Sequence, residues 1–138
     1  MRKIIYAVMI LLLTNQGAFA ACTKPVGLFV GAGSGSAYDL NNGNLLQLAA
    51  ISLSVNILSN GSATVTEKGK NISGVYTTSY SVASSSNVFS TSTCTGTFTT
   101  STGLVYTYTS SLSGSVINFI YTKNDNVLAL YTLRLEKA

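Results

Sequence analysis

The chain has no histidine, no tryptophan, one proline, two cysteines and only four acidic residues, Asp39, Glu67, Asp125 and Glu136, in 138 positions. Each shortage removes a class of chemistry. Without an imidazole there can be no Ser-His-Asp triad, no Cys-His pair and no imidazole-bound zinc or copper. Two cysteines are too few for a structural zinc site, and Cys94 has no histidine to turn it into a nucleophile. Four acids leave little for two-carboxylate hydrolysis: Asp125 falls in a turn, and Asp39, Glu67 and Glu136 read as ordinary surface charges. The expectation is a protein that is not an enzyme and needs no metal or cofactor.

Long apolar runs are scarce too. The one present, Ile4 to Leu13, follows Arg2 and Lys3 and precedes Ala18-Phe19-Ala20, the pattern of an export signal cleaved after Ala20. It is too short to span a bilayer, which takes roughly 20 apolar residues. Residues 1–20 are therefore set aside, and residues 21–138 form one small domain with no room for a second core. Without Arg2 and Lys3, six basic side chains stand against four acids, a net of +2, too weak a field for nucleic acid. Charged residues make up only 9% of the chain, so serine, threonine and asparagine must meet the solvent, as suits an exported periplasmic or extracellular protein.

What the chain does have is period-two alternation. Ala49, Ile51, Leu53, Val55 and Ile57 share one face of a strand, with Ser52, Ser54 and Asn56 on the other. Asn60-Gly61 then marks a turn. A three-residue loop, Ser59-Asn60-Gly61, pairs Ile57 with Ala63 and Val55 with Val65 and keeps apolar side chains together, with Gly61 left-handed. Further strands put Ile72, Tyr76, Tyr80 and Val82 on one face, then Leu104, Tyr106 and Tyr108, then Ile117, Phe119 and Tyr121, then Val127, Ala129, Tyr131, Leu133 and Leu135. With Gly27 to Ser36 and a single strand from Val88 to Thr99, the count is about eight. The predicted fold is an all-β, antiparallel up-and-down barrel, which removes exposed edges; a β-sandwich is the alternative.

Two motifs read as architecture. Gly31-Ala-Gly-Ser-Gly35 has no helix after it to bind an anion and no lysine to complete a phosphate loop, so it is a glycine-rich strand or loop. Asp39-Leu-Asn-Asn-Gly-Asn44 lacks the spacing and final glutamate of a calcium loop and reads as a turn whose side chains bond their own backbone. In an exported chain Cys22 and Cys94 are expected to form a disulfide, with Cys94 opposite a ladder of solvent-facing threonines on its strand. A lipoprotein anchored through Cys22 is the alternative, since Ala20-Ala21-Cys22 approximates a lipidation box with Phe19 where leucine is usual.

Cys22 ahead of Gly27-Leu-Phe29, the Asn60-Gly61 hairpin leading into Ala63-Thr-Val-Thr66, the Gly74 strand and Cys94-Thr-Gly-Thr-Phe98 together resemble a group of small exported bacterial proteins with lipocalin-type barrels. The resemblance implies the same Cys22–Cys94 pair. It extends to the wider calycin pattern, in which a G-x-Trp on the first strand is covered by a late arginine. Gly27-Leu28-Phe29 and Arg134 occupy those places here, with Phe29 instead of tryptophan, which implies that Phe29 and Arg134 close one barrel end. On this analogy the barrel binds a small apolar or amphipathic ligand, with Tyr76, Tyr80, Tyr106, Tyr108, Phe119, Tyr121 and Tyr131 as its lining. A core filled by those side chains, in an envelope or interaction protein, is the competing expectation.

Overall fold

The computed structural model describes residues 20–138, so the expected export signal lies, but for Ala20, outside the described residues. The described chain is all β apart from one short 3-10 turn, Ser84–Ser86. Its nine strands are β1 (Gly27–Asp39), β2 (Leu45–Ile57), β3 (Ala63–Asn71), β4 (Gly74–Val82), β5 (Asn87–Ser90), β6 (Thr95–Thr99), β7 (Val105–Ser110), β8 (Val116–Lys123) and β9 (Val127–Lys137). All neighbours pair antiparallel in one strongly curled sheet, ordered β4-β3-β2-β1-β9-β8-β7-β6-β5, which fits an up-and-down barrel and replaces the sandwich alternative.

First and last strands pair along most of their length, from Phe29↔Lys137 to Asp39↔Val127. The open seam falls mid-chain, between β4 and β5. Its cause is the strand count: every neighbour reverses direction, so strands eight steps apart run the same way and cannot close as an antiparallel hairpin. Loops bridge the seam instead, with Ser101 N–H donating to the Ser81 carbonyl at 3.0 Å and Asn87 Nδ2 to the Gly61 carbonyl at 2.8 Å.

The ninth strand comes from the segment read as one strand from Val88 to Thr99. It is a hairpin. Residues 91–94 turn, Cys94 adopts a left-handed φ of 55°, and Phe89 then pairs with Gly96. The threonine ladder is thereby cut, leaving Thr95, Thr97 and Thr99 on the convex side of β6. The β2–β3 hairpin has the expected register, Val55↔Val65 and Ile57↔Ala63, with Gly61 at φ 91°. Ile72, expected on the inner face, sits instead in the tight β3–β4 turn and is wholly exposed.

Gly31, Gly33 and Gly35 point to the concave side of β1, between β2 and β9. A methyl group on Gly31 would strike the Arg134 carbonyl oxygen, and one on Gly33 that of Thr132. The glycine motif thus permits the backbone approach by which the sheet curls so tightly. On the same face lies the core, with Phe29, Leu53, Val55, Val65, Phe98, Tyr106, Tyr108, Ile117 and Leu135 all essentially without solvent contact. Burial of each large side chain stabilises by roughly 1.5–3 kcal/mol.

Residues 22–25 cross one end of the barrel. Cys22 N–H donates to the Thr91 carbonyl at 2.7 Å and Thr23 N–H to the Leu112 carbonyl at 2.8 Å, while Pro25 is fully buried. Cys22 and Cys94 form a disulfide, Cα to Cα 5.4 Å, which ties this arm to the β5–β6 turn.

Candidate functional site

The other end, beyond which lie the β1–β2 and β8–β9 turns, holds a cavity of about 100 Å³ lined by Gly35, Ser36, Ala37, Gln47, Ala49, Ile51, Glu67, Tyr76, Ala129 and Tyr131. Its origin is local sequence. Near this end β1, β2 and β9 contribute Gly35, Ala37, Ala49 and Ala129 to its wall, side chains that fill little space.

Glu67 heads this cavity, and its placement corrects the expectation of a surface charge. On β3 the inward phase set by Ala63 and Val65 continues to Glu67 and Gly69, while Lys68 and Lys70 face outward. The signal was present in the alternation itself: the hairpin register that turns Val65 inward must also turn Glu67 inward.

Three phenols surround the carboxylate. Tyr76 Oη donates to Glu67 Oε1 at 2.7 Å, and the Tyr106 and Tyr131 hydroxyls reach Oε2 at 3.4 and 3.5 Å. Only the first is at full hydrogen-bond length. Tyr131 Oη also lies 3.2 Å from Thr122 Oγ1. Burial pushes the Tyr76, Tyr106 and Tyr131 phenols well above their ordinary range, and the Glu67 charge adds to the shift at each. They are therefore neutral donors, and no cationic side chain pairs with Glu67 among the described residues; the one ion pair there is Arg134–Glu136.

The seven residues expected to line a pocket separate into groups. Tyr76 and Tyr131 reach the cavity. Tyr106, Tyr108 and Phe119 are buried below it in a packed aromatic cluster with Phe98, whose ring stacks on Tyr108 at 4.7 Å between centroids. Tyr80 packs against the edge of that cluster, 6.4 Å from Tyr106. Tyr121 lies on the convex face, because a bulge between Phe119 and Tyr121 shifts the register: Phe119 pairs with the inward Leu133, but Tyr121 with the outward Leu130. Thr122 takes the inward place and is 3% exposed.

Phe29 and Arg134 do not meet. Phe29 is fully buried, whereas Arg134 pairs with outward Ala32 and forms an exposed 3.1 Å contact with Glu136. The alternation that turns Leu133 and Leu135 inward sends the arginine out.

Two glycines on the inner face seat aromatic rings. Tyr76 lies over its cross-strand partner Gly69, and Tyr108 over Gly96. With no side chain on Gly69, the Tyr76 ring lies flat against β3 and its hydroxyl reaches Glu67 two residues away. Depressions of about 340 and 200 Å³ on the convex face, one walled by Lys68, Lys70 and Val75 and the other by Val88, Thr97 and Thr107, are broader but open to solvent. The first carries two lysines and no acid, the second no charged side chain, and neither is enclosed as the Glu67 cavity is.

No helix among the described residues is long and apolar enough to cross a membrane. No family model matches the chain, and comparison with curated proteins and with solved structures returns no match.

Proposed function

We propose that the protein is an exported, non-enzymatic, lipocalin-like β-barrel that binds a small amphipathic molecule at the open end of its curled sheet. The observation that carries this reading is the cavity beneath the β1–β2 turn, where apolar Ala49, Ile51 and Ala129 meet a polar side formed by Gln47, Tyr131 and Glu67 with Tyr76. Apolar walls with a few convergent polar groups are the usual make-up of a small-molecule site. At about 100 Å³ it takes a head group rather than a whole lipid, since ligand pockets commonly run to several hundred Å³. Export is supported by the Arg2–Ala20 pattern and by the disulfide, which needs an oxidising compartment. With both sulfurs engaged, Cys22 has no thiol to carry a lipid, so free export is favoured over anchoring.

The test is an amide chemical-shift titration of the disulfide-bonded protein with short amphiphiles of about three or four carbons, a size set by the cavity. Saturable shifts confined to Gly35, Ala37, Ala49 and Tyr131 are expected. Shifts spread over the convex face, or none, would remove this reading.

A second reading, an envelope or interaction protein with a filled barrel, is favoured by the aromatic packing around Phe98, Tyr108 and Phe119 and by the convex hydroxyl rows, where Thr95 pairs with Thr109 and Thr97 with Thr107. Saturable shifts confined to those rows on adding soluble glycans would support it.

A further inference from the structure

We infer that the ligand of this cavity is an organic ammonium ion, with Glu67 as its counter-charge; the inference rests on the binding reading above and names the chemical class of the ligand. Glu67 is the one charged side chain lining the cavity, and no lysine or arginine compensates it there. Its neighbours are phenols, which donate hydrogen bonds but carry no positive charge. A carboxylate held in this way keeps acceptor capacity: each oxygen accepts two bonds in good geometry, while Oε1 has one short donor and Oε2 only two long ones.

The remaining features select among cations. A divalent metal such as calcium takes six to eight or so oxygen ligands, mostly from charged or carbonyl groups, and one carboxylate among phenols does not provide them. A strongly hydrated alkali ion would gain nothing from the apolar wall of Ala37, Ala49, Ile51 and Ala129. An alkylammonium uses both parts: its N–H groups reach Glu67, the rings of Tyr76 and Tyr131 attract its charge, and its first carbons lie on the alanines. The volume agrees, since about 100 Å³ is the space of roughly three waters at about 30 Å³ each, or of one ammonium with two or three methylenes. Anions are disfavoured by the same geometry, because they would meet Glu67 directly.

The deciding experiment titrates the disulfide-bonded protein with n-butylammonium, n-butanol and butyrate, reading the amide shifts of Gly35 and Ala49, and repeats the series on Glu67→Gln. Butylammonium is expected to saturate at least about tenfold below butanol, an interval of about 1.4 kcal/mol. Butyrate should leave the shifts unchanged, and Glu67→Gln should bring butylammonium to the level of butanol. Equal binding of butylammonium and butanol, tighter binding of butyrate, or undiminished ammonium affinity in Glu67→Gln would overturn the ammonium assignment while leaving the pocket reading intact. Silence from all three probes would remove the pocket reading and this inference with it. Should Glu67→Gln fail to fold, the ranking of the three probes on the unaltered protein decides.

Discussion

The Tyr76 hydroxyl donates a 2.7 Å hydrogen bond to Glu67 Oε1 along a cross-strand diagonal: Tyr76 stands opposite Gly69, two residues beyond Glu67 on β3. Diagonal neighbours in a sheet are about 7–8 Å apart, within reach of a long aromatic side chain. The bond needs both the bare Gly69 and an inward Glu67, and together they place the barrel's acid at its mouth.

The buried phenols give an alkaline signature. Tyr76, Tyr106, Tyr108 and Tyr131 are all raised above the ordinary value of 10.0, chiefly by burial. A raised acid keeps its proton in the folded state where the unfolded chain has lost it. Its contribution to stability is therefore complete below pH 10.0 and is lost as pH climbs above that value. Phenolate absorbance from these four should rise only as near-UV circular dichroism disappears. A single reversible step with the dichroism intact would contradict the burial of these rings.

Reduction should be costly. The Cys22–Cys94 bond joins positions 72 apart, and closing such a loop contributes about 4 kcal/mol in the chain-entropy model. Urea unfolding of Cys94→Ser, or of the protein in reductant, should show a loss of that order, with the 22–25 arm freed first. A loss below about 1 kcal/mol would mean that the arm is held mainly by Pro25 and its backbone hydrogen bonds.

Tyr108→Phe should stabilise. The Tyr108 hydroxyl is buried over Gly96 without a hydrogen-bond partner, whereas the Tyr106 hydroxyl reaches Glu67. Removing an unsatisfied buried hydroxyl is expected to raise unfolding free energy by about 1 kcal/mol. Tyr106→Phe should not share the gain. Equal effects of the two substitutions in thermal melts would count against this difference.

Gly33→Ala tests the curl of the sheet. The added methyl would strike the Thr132 carbonyl, so β1 and β9 must separate or the barrel must open; a loss of about 3 kcal/mol is expected. Ser34→Ala, next along β1 on the convex side, should stay within about 0.5 kcal/mol of the parent. Similar losses for both would show that strand propensity, not backbone approach, sets the cost.

Much of this architecture is legible in residue order because alternation is a local property. Val55 and Val65 identify their faces and fix the Asn60-Gly61 hairpin register, since a one-residue slip would send both to solvent. The same logic, carried two residues further, turns Glu67 inward; reading it as surface let charge outweigh phase. Tyr121 was beyond that logic. A bulge breaks the phase between Phe119 and Tyr121, and nothing in Asn118-Phe-Ile-Tyr121 announces it, because Phe119, Ile120 and Tyr121 all suit either face. The Val88–Thr99 hairpin was hidden for a related reason. Two of its four turn residues, Thr91 and Thr93, are good strand formers, and it closes on a left-handed Cys94.

The amino-acid sequence by itself determined the all-β class, the hairpin after β2 and the absence of imidazole chemistry, because these depend on composition and on neighbours two residues apart. It also made Cys22 and Cys94 the only cysteines available for a bond. Tertiary structure decided the rest: a seam between β4 and β5, a core closed below by the 22–25 arm, and a cavity where small residues from three strands leave space. It also placed three tyrosines, from β4, β7 and β9, around Glu67 on β3. These positions are far apart in the chain, and only the curl permitted by Gly31, Gly33 and Gly35 brings their side chains within reach of one carboxylate.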